Sequence, residues 1–393
     1  MTSSRDIARY DAFAVTAPGL APLAAGELAR LGLSVREVEA GGVAFEGDFR
    51  ALCLANLQLR TVSRVLVRVD EFRAATFHEL EKRTARIDWA RWLSPGREVT
   101  LRVTCRKSRL YHSGAVAERV AAVLTAGGGR VHVGGADDDE APNEPGAEAP
   151  QLVVVRLLHD RCTVSLDSSG PLLHQRGYRL ATGKAPLRET LGAALLLASG
   201  WEPGTPLVDP FCGSGTLAIE GALLARRLAP GRHRRFALER WPAADAAAMA
   251  RVRDDARGRE RPSAGAPIVA SDRDAGTIEG ARANAERAGV AGDITFAVRA
   301  VSHLVPPDEG GVAGAVVTNP PYGLRVDGAG ELRNLYARTG AVLRERFAGW
   351  RVALVSADRR LTGQLGIPLR DALTTSNGGI PVAFAVGALP LAP

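Results

Sequence analysis

Residues 207–220, LVDPFCGSGTLAIE, constrain the fold more than any other stretch of the chain. An apolar run ends at Asp209, Gly213 and Gly215 form a tight turn, and a helix begins at Thr216. Such a strand–turn–helix unit brings backbone N–H groups close to a ligand, and the helix N-terminus favours an anionic group there. The unit belongs in a parallel sheet whose strands alternate with helices. The C-terminal half repeats that alternation, with strands expected at 206–209, 268–271, 294–298, 314–318 and 351–356. Helical periodicity lies between them, as in 331–347, where Leu332, Leu335, Tyr336, Leu343 and Phe347 fall in register. Segments 369–375 and 380–386 flank Ser-Asn-Gly-Gly and predict a closing antiparallel hairpin, an ending less typical of dehydrogenases.

The first seventy residues read as β-α-β-β-α-β. A strand at 12–16 precedes a helix opened by Pro18 and Pro22 and stopped by Gly32. Strands at 35–38 and 43–45 join through Gly41-Gly42, a helix covers 48–58, and Val65, Val67 and Val69 alternate as a last strand. This order is ferredoxin-like. A second α/β unit follows over 71–168. It has a strand at 98–105, a helix at 113–126 capped by Ser113, and a strand pair at 152–158 and 162–166 around His159-Asp160. An acidic Gly/Pro-rich insert, 134–150, interrupts this unit and reads as a surface loop. Residues 169–184 read as a linker, and 185–393 as the parallel-sheet domain.

Composition narrows the partners. No apolar stretch reaches the ~18 residues of a membrane span, and the N-terminus lacks the apolar core of a secretory signal, so a cytoplasmic protein is expected. The four cysteines form no CxxC pair and no histidine stands at ligand spacing from a cysteine or carboxylate, so no metal is assigned. The net charge is +7, and six acids (Asp137, Asp138, Asp139, Glu140, Glu144 and Glu148) sit in the insert, leaving the remainder strongly basic. Such an excess favours a polyanion such as nucleic acid, although 47 of the 50 basic residues are Arg in an Ala-rich chain, which is also what GC-rich codon usage yields.

Three clusters carry chemistry. Gly213-x-Gly215-x-x-Ala218 alone also fits a dinucleotide turn, but Asp209 before it repels a pyrophosphate and suits the ammonium of a methionine-type ligand. Asp272, followed by Arg273, ends the second strand, where a carboxylate can accept both hydroxyls of a ribose, while Asp274 is a helix-cap candidate. The third is Thr318-Asn319-Pro320-Pro321-Tyr322-Gly323 at the end of the fourth strand. Two prolines fix the backbone, so the Asn319 side-chain oxygen and the Pro320 carbonyl can accept hydrogen bonds from an exocyclic NH2. Those bonds orient its lone pair for attack on a methyl group, and Tyr322 can stack on the ring that bears it. Arg102, Arg106, Lys107 and Arg109, beside Tyr111 and His112, combine cations with aromatics as RNA contacts do, and a solvated face is the plainer alternative.

With these motifs in place, the chain resembles the THUMP-domain, class I S-adenosylmethionine (SAM)-dependent RNA methyltransferases, in particular the bacterial 23S rRNA guanine-N2 enzymes. Supporting motifs are Ser108-Arg109-Leu110-Tyr111-His112-Ser113-Gly114-Ala115, Gln175-Arg176-Gly177-Tyr178-Arg179 and Ala185-Pro186-Leu187-Arg188-Glu189-Thr190-Leu191. The resemblance implies a Rossmann-like methyltransferase domain with SAM as cofactor, preceded by ferredoxin-like and THUMP regions that grip RNA. It also implies that residues 186–190, Pro186 and Glu189 among them, help wall the cofactor pocket. Arg176 and Arg179 are left between RNA contact and bracing. One departure stands out: the aspartate that usually follows the third strand and holds the adenine amine is Ala300 here, with Ser302 nearby. A tRNA guanine-N2 methyltransferase, a DNA adenine or protein glutamine methyltransferase, and a non-catalytic RNA-binding assembly factor remain as alternatives. A nicotinamide oxidoreductase is disfavoured because Asn319–Tyr322 has no task in one.

Overall fold

The computed structural model describes residues 9–135, 149–179, 187–307, 311–322 and 329–391. Most of the acidic insert, Pro186 and Gly323 lie outside them. The chain forms two compact units. Residues 25–173 build the first together with the N-terminal strand and residues 234–254, whereas residues 17–24, 174–233 and 255–393 build the second.

The first unit is one mixed eight-stranded sheet. It starts with β1 (Tyr10–Thr16), α1 (Ala21–Arg30, whose first four residues belong to the second unit), β2 (Ser34–Glu39), β3 (Gly42–Gly47), α2 (Phe49–Gln58) and β4 (Val62–Arg73), the ferredoxin-like order read from the sequence. The Asp48 carboxylate accepts from Ala51 N–H at 2.8 Å and caps α2, a contact that contributes about 1 kcal/mol. Then follow α3 (Phe77–Thr84), β5 (Glu98–Arg106), α4 (Ser113–Ala126), β6 (Arg130–Val133), β7 (Gln151–Leu158) and β8 (Arg161–Asp167). The order is β2-β3-β1-β4-β8-β7-β5-β6, so the two halves of the unit share one sheet across the antiparallel β4–β8 pair. α3 and β6 escape a periodicity search because they are short. α3 announces itself only by its capping box, Thr76 with Glu79. The cap of α4 is His112 rather than Ser113: its Nδ1 accepts from Ala115 N–H at 3.2 Å while Ser113 is already helical.

The second unit holds α5 (Glu189–Ser199), β9 (Leu207–Asp209), α6 (Thr216–Ala225), β10 (Ile268–Asp272), α8 (Ala275–Arg287), β11 (Ile294–Val298), β12 (Ala315–Thr318), α9 (Ala329–Arg346), β13 (Arg351–Ser356), α10 (Arg359–Gly363), β14 (Leu369–Asn377) and β15 (Ile380–Ala388), while α7 (Ala246–Arg257) leaves the first unit and enters this one. Its sheet runs β11-β10-β9-β12-β13-β15-β14. The first five are parallel, and β15 and β14 close the sheet antiparallel, as the sequence led us to expect. The central strands are buried on both faces, so they read as continuous apolar runs rather than alternating ones. The strand order reverses between β9 and β12, and in open α/β sheets ligands bind at the carboxyl ends of strands at such a reversal. Among the described residues, no helix is long and apolar enough to cross a membrane.

Candidate active site

A cavity of about 810 Å³ opens at the carboxyl ends of the second unit's strands. Phe211 and Gly213 supply one wall from the loop after β9, Asp272 and Arg273 another from the end of β10. Arg299, Ala300, Val301 and Ser302 follow β11, and Asn319 and Pro321 follow β12. The last wall is α9, with the polar stripe Glu331, Asn334 and Arg338 beside Leu332 and Leu335.

The glycine loop is held from several sides. Gly213 and Gly215 take φ of +50° and +82°, the left-handed region that glycine enters at no steric cost. Gly215 N–H donates to the Cys212 carbonyl at 2.8 Å, Cys212 N–H to the Ser271 carbonyl at 3.0 Å, and the Asn284 amide of α8 to the Ser214 carbonyl at 3.0 Å. Asp272 lies beside this loop. One of its oxygens accepts from Gly213 N–H at 3.3 Å and the other from Asp274 N–H at 3.2 Å. Asp274 caps α8 through Thr277 N–H.

Asp209 is placed differently from Asp272. It is 1% exposed, is not part of the cavity wall, and accepts from the Thr318 hydroxyl at 2.7 Å and Phe211 N–H at 3.2 Å. Burial pushes its carboxyl up to about 7; the two hydrogen bonds pull it partly back, and Asp272 adds a smaller upward push. The carboxylate therefore ties the end of β9 to the end of β12, one residue before Asn319.

Beyond Thr318 the chain turns into the Asn-Pro-Pro-Tyr rim. Asn319 is partly buried, and its Oδ1 is enclosed with no hydrogen-bond partner among the described residues. A buried acceptor left unpaired costs on the order of 1–3 kcal/mol, so its persistence at a cavity wall points to a donor arriving with a ligand. Pro320 is buried. The Pro321 carbonyl accepts from Tyr336 OH of α9 at 3.3 Å, and Tyr322 OH accepts from the Asn377 amide at 2.8 Å.

Glu189 and Thr216 lie behind the glycine loop. The Arg179 guanidinium donates to Thr216 Oγ1 at 2.7 Å and to the Leu187 carbonyl at 2.8 Å, and stands 3.3 Å from Glu189. Burial raises the Glu189 carboxyl, with Arg179 opposing. Arg176, 3% exposed, pairs with Glu220 at 3.1 Å, and Tyr178 OH donates to the same carboxylate at 3.0 Å. Both arginines of the Gln-Arg-Gly-Tyr-Arg motif therefore brace the second unit from inside.

The candidate RNA-contact residues belong to the first unit. Arg106 ends β5, Lys107 adopts φ of +48°, and Arg109 N–H donates to Asp160 at 2.7 Å. Tyr111 is 80% exposed, and His112 is exposed while capping α4. Sequence reasoning missed Arg299, Asn284, Asn377 and the polar stripe of α9. The stripe's spacing of three to four was visible, but only the apolar side of that helix was read. Among the described residues no group of three or more His, Cys, Asp or Glu is placed to hold a metal ion.

Comparison with known proteins agrees with this geometry. The family described as UPF0020, RMKL-like methyltransferase domain, matches residues 176–371, and the RlmL ferredoxin-like domain matches 11–66. “Putative RNA methyltransferase slr0064” of Synechocystis sp. is 35% identical over 371 residues, covering 94% of both chains. The solved structure of “SMU.472, a putative methyltransferase complexed with SAH” superposes with a TM-score of 0.83 at 28% identity, covering 98% of this chain and 99% of that one. A “predicted N6-adenine-specific DNA methylase” from Listeria monocytogenes str. 4b F2365 gives 0.83 at 32% identity, covering 98% and 97%. The chain thus belongs to the RMKL-like methyltransferase family, and its second unit is a Rossmann-like, SAM-dependent methyltransferase domain.

Proposed function

We propose that this protein methylates the exocyclic N2 amine of a guanine in RNA, with 23S rRNA or its precursor as the target. The observation that carries the reading is the enclosed Asn319 Oδ1, unpartnered among the described residues, on a residue that lines the same cavity as Gly213 and Asp272. The cavity fits SAM: its volume of about 810 Å³ lies within the ~300–1,000 Å³ usual for ligand sites. On this reading Asp272 accepts the ribose hydroxyls, with Arg273 beside it, and the glycine-loop backbone from Gly213 to Gly215 lines the amino-acid end; Gly213, Asp272 and Arg273 on the cavity wall support it. Ala300 leaves Ser302 and backbone groups for the adenine edge. When bound, SAM supplies a methyl group already activated on a sulfonium.

The chain's task is then positioning. Asn319 Oδ1 and the Pro320 carbonyl accept the two N–H groups of the target amine, which localises a lone pair otherwise delocalised into the base and stabilises the positive charge growing on nitrogen. Pro321 stiffens the rim and Tyr322 receives the unstacked base. Asp209, Thr216 and Glu189 hold the elements around this pocket. Residues 71–168 act as a THUMP domain on the ferredoxin-like 1–70, with Arg106, Lys107, Arg109, Tyr111 and His112 contacting phosphates and bases. The Synechocystis relative's name and the basic balance of the chain support an RNA substrate.

The same rim suits the N6 amine of adenine, and the name of the Listeria relative favours that second reading. Transfer of a labelled methyl group onto rRNA, tRNA and DNA, followed by nucleoside mass spectrometry, separates them. N2-methylguanosine in 23S rRNA is expected. N6-methyladenine in DNA, or modification of tRNA alone, would replace the proposal.

A further inference from the structure

We infer that Asn377, at the tip of the terminal hairpin, is a positioning residue for the target base: it fixes the ring of Tyr322 by donating a hydrogen bond to its phenol oxygen. This rests on the reading of Tyr322 as the platform for the base. Asn377 ends β14 and pairs in register with Ile380, with Gly378 and Gly379 between them at φ of +58° and +81°. Two successive positive φ values make a type I′ turn, whose twist matches the strands and fixes which face each side chain takes. Gly378, Gly379 and Ile380 are exposed, as a hairpin tip should be, yet Asn377 is only 7% exposed. An asparagine at this point of a turn ordinarily bonds local backbone. Here its amide instead reaches a phenol 55 residues away in sequence, at 2.8 Å.

The rim is therefore clamped at three successive points. Thr318 is tied to Asp209 at 2.7 Å, the Pro321 carbonyl to Tyr336 of α9 at 3.3 Å, and Tyr322 to Asn377 at 2.8 Å. The first joins two side chains at the strand ends, and the second holds a backbone carbonyl. The third anchors the phenol end of a half-buried ring whose body packs against the unit's apolar core, so that the hydrogen bond and the packing together set the aromatic plane. A ring held before the base arrives lowers the ordering cost of docking it. On this account the antiparallel hairpin that closes the sheet is part of the target pocket.

A double-mutant cycle tests the inference, with kcat/KM for RNA and calorimetric SAH affinity measured for Asn377→Ala, Tyr322→Phe and the pair. Asn377→Ala should lower kcat/KM for RNA by about 5–10-fold, the scale of one net hydrogen bond, chiefly through KM, with SAH affinity retained. The double variant should be no worse than the poorer single one. Additive losses, a change in kcat/KM under twofold, or a parallel fall in SAH affinity would overturn the role of Asn377. Tyr322→Ala serves as the control. If it leaves RNA methylation intact, the platform reading itself fails; if it abolishes methylation while Asn377→Ala does nothing, only the present inference fails.

Discussion

Replacing Asp209 by Asn should raise stability above neutral pH, because the fold confines a carboxyl that resists ionisation. The side chain is 1% exposed, and burial pushes its carboxyl from 3.8 up to about 7. The native state therefore holds a proton between about pH 4 and pH 7 that the unfolded chain has released. Stability contributed by this group is fully present below the unfolded value and is lost as pH rises through the folded one. A displacement of about three pH units amounts to roughly 4 kcal/mol. Relaxation of the surroundings will reduce this, and about half is a reasonable expectation. Asparagine keeps an oxygen for the Thr318 hydroxyl and Phe211 N–H without ever charging. Differential scanning calorimetry from pH 5 to pH 9 should show the wild-type Tm falling toward neutrality. The Asp209→Asn profile should be flatter and lie about 4–8 °C higher above pH 7, for a unit of this size. Parallel profiles would refute the account, and a variant less stable at every pH would show that the ionised carboxylate supports the fold. SAH calorimetry on the same variant decides whether Asp209 also reaches the cofactor: loss of affinity alongside a raised Tm would assign it the ammonium-binding task its sequence position suggests.

Asn319→Ala should reduce methyl transfer by about 10²–10³-fold while calorimetric SAH affinity stays within a few-fold, since the lost acceptor acts on the developing charge. Gly215→Ala forces a side chain onto φ of +82° and sets its Cβ 3.1 Å from that of Ala281, so a loss of about 1–2 kcal/mol by thermal or chemical unfolding is expected, together with weaker SAH binding. Arg106→Glu and Lys107→Glu should weaken RNA binding at low salt, and each should reduce the log–log salt slope by about 1 if it removes a phosphate contact. An unchanged slope would identify these residues as a solvated face.

Much of this fold is legible in local chemistry. The glycine turn after Asp209 announces a strand–helix junction because only positive φ values let the chain reverse so tightly, and Gly213 and Gly215 both adopt them. The hairpin from Leu369 to Ala388 is readable from its Gly-Gly turn, and α2 from Asp48. Short elements such as β6 are not, because four residues carry too little periodicity. Nor is the chain's assignment to two units: residues 234–254 pack with the first unit, where Trp241 meets Trp92 edge-on at 5.2 Å and donates to Gln151 at 3.0 Å, partners at least 90 residues distant in sequence.

The sequence alone determined the parallel sheet, its terminal hairpin and the Asn-Pro-Pro-Tyr rim, since each rests on backbone propensities acting within a few residues. Tertiary structure decided which of two similar aspartates faces the cavity. Asp209 and Asp272 both end parallel strands of one sheet, yet the first lies beneath Thr318 and the second on the wall. Strand order set that difference: β9 is flanked by β10 and β12, so groups at its end are enclosed by neighbours that no local pattern reveals. The same packing brought Asn377 to Tyr322 and the polar stripe of α9 to the cavity, contacts fixed by how the sheet closes.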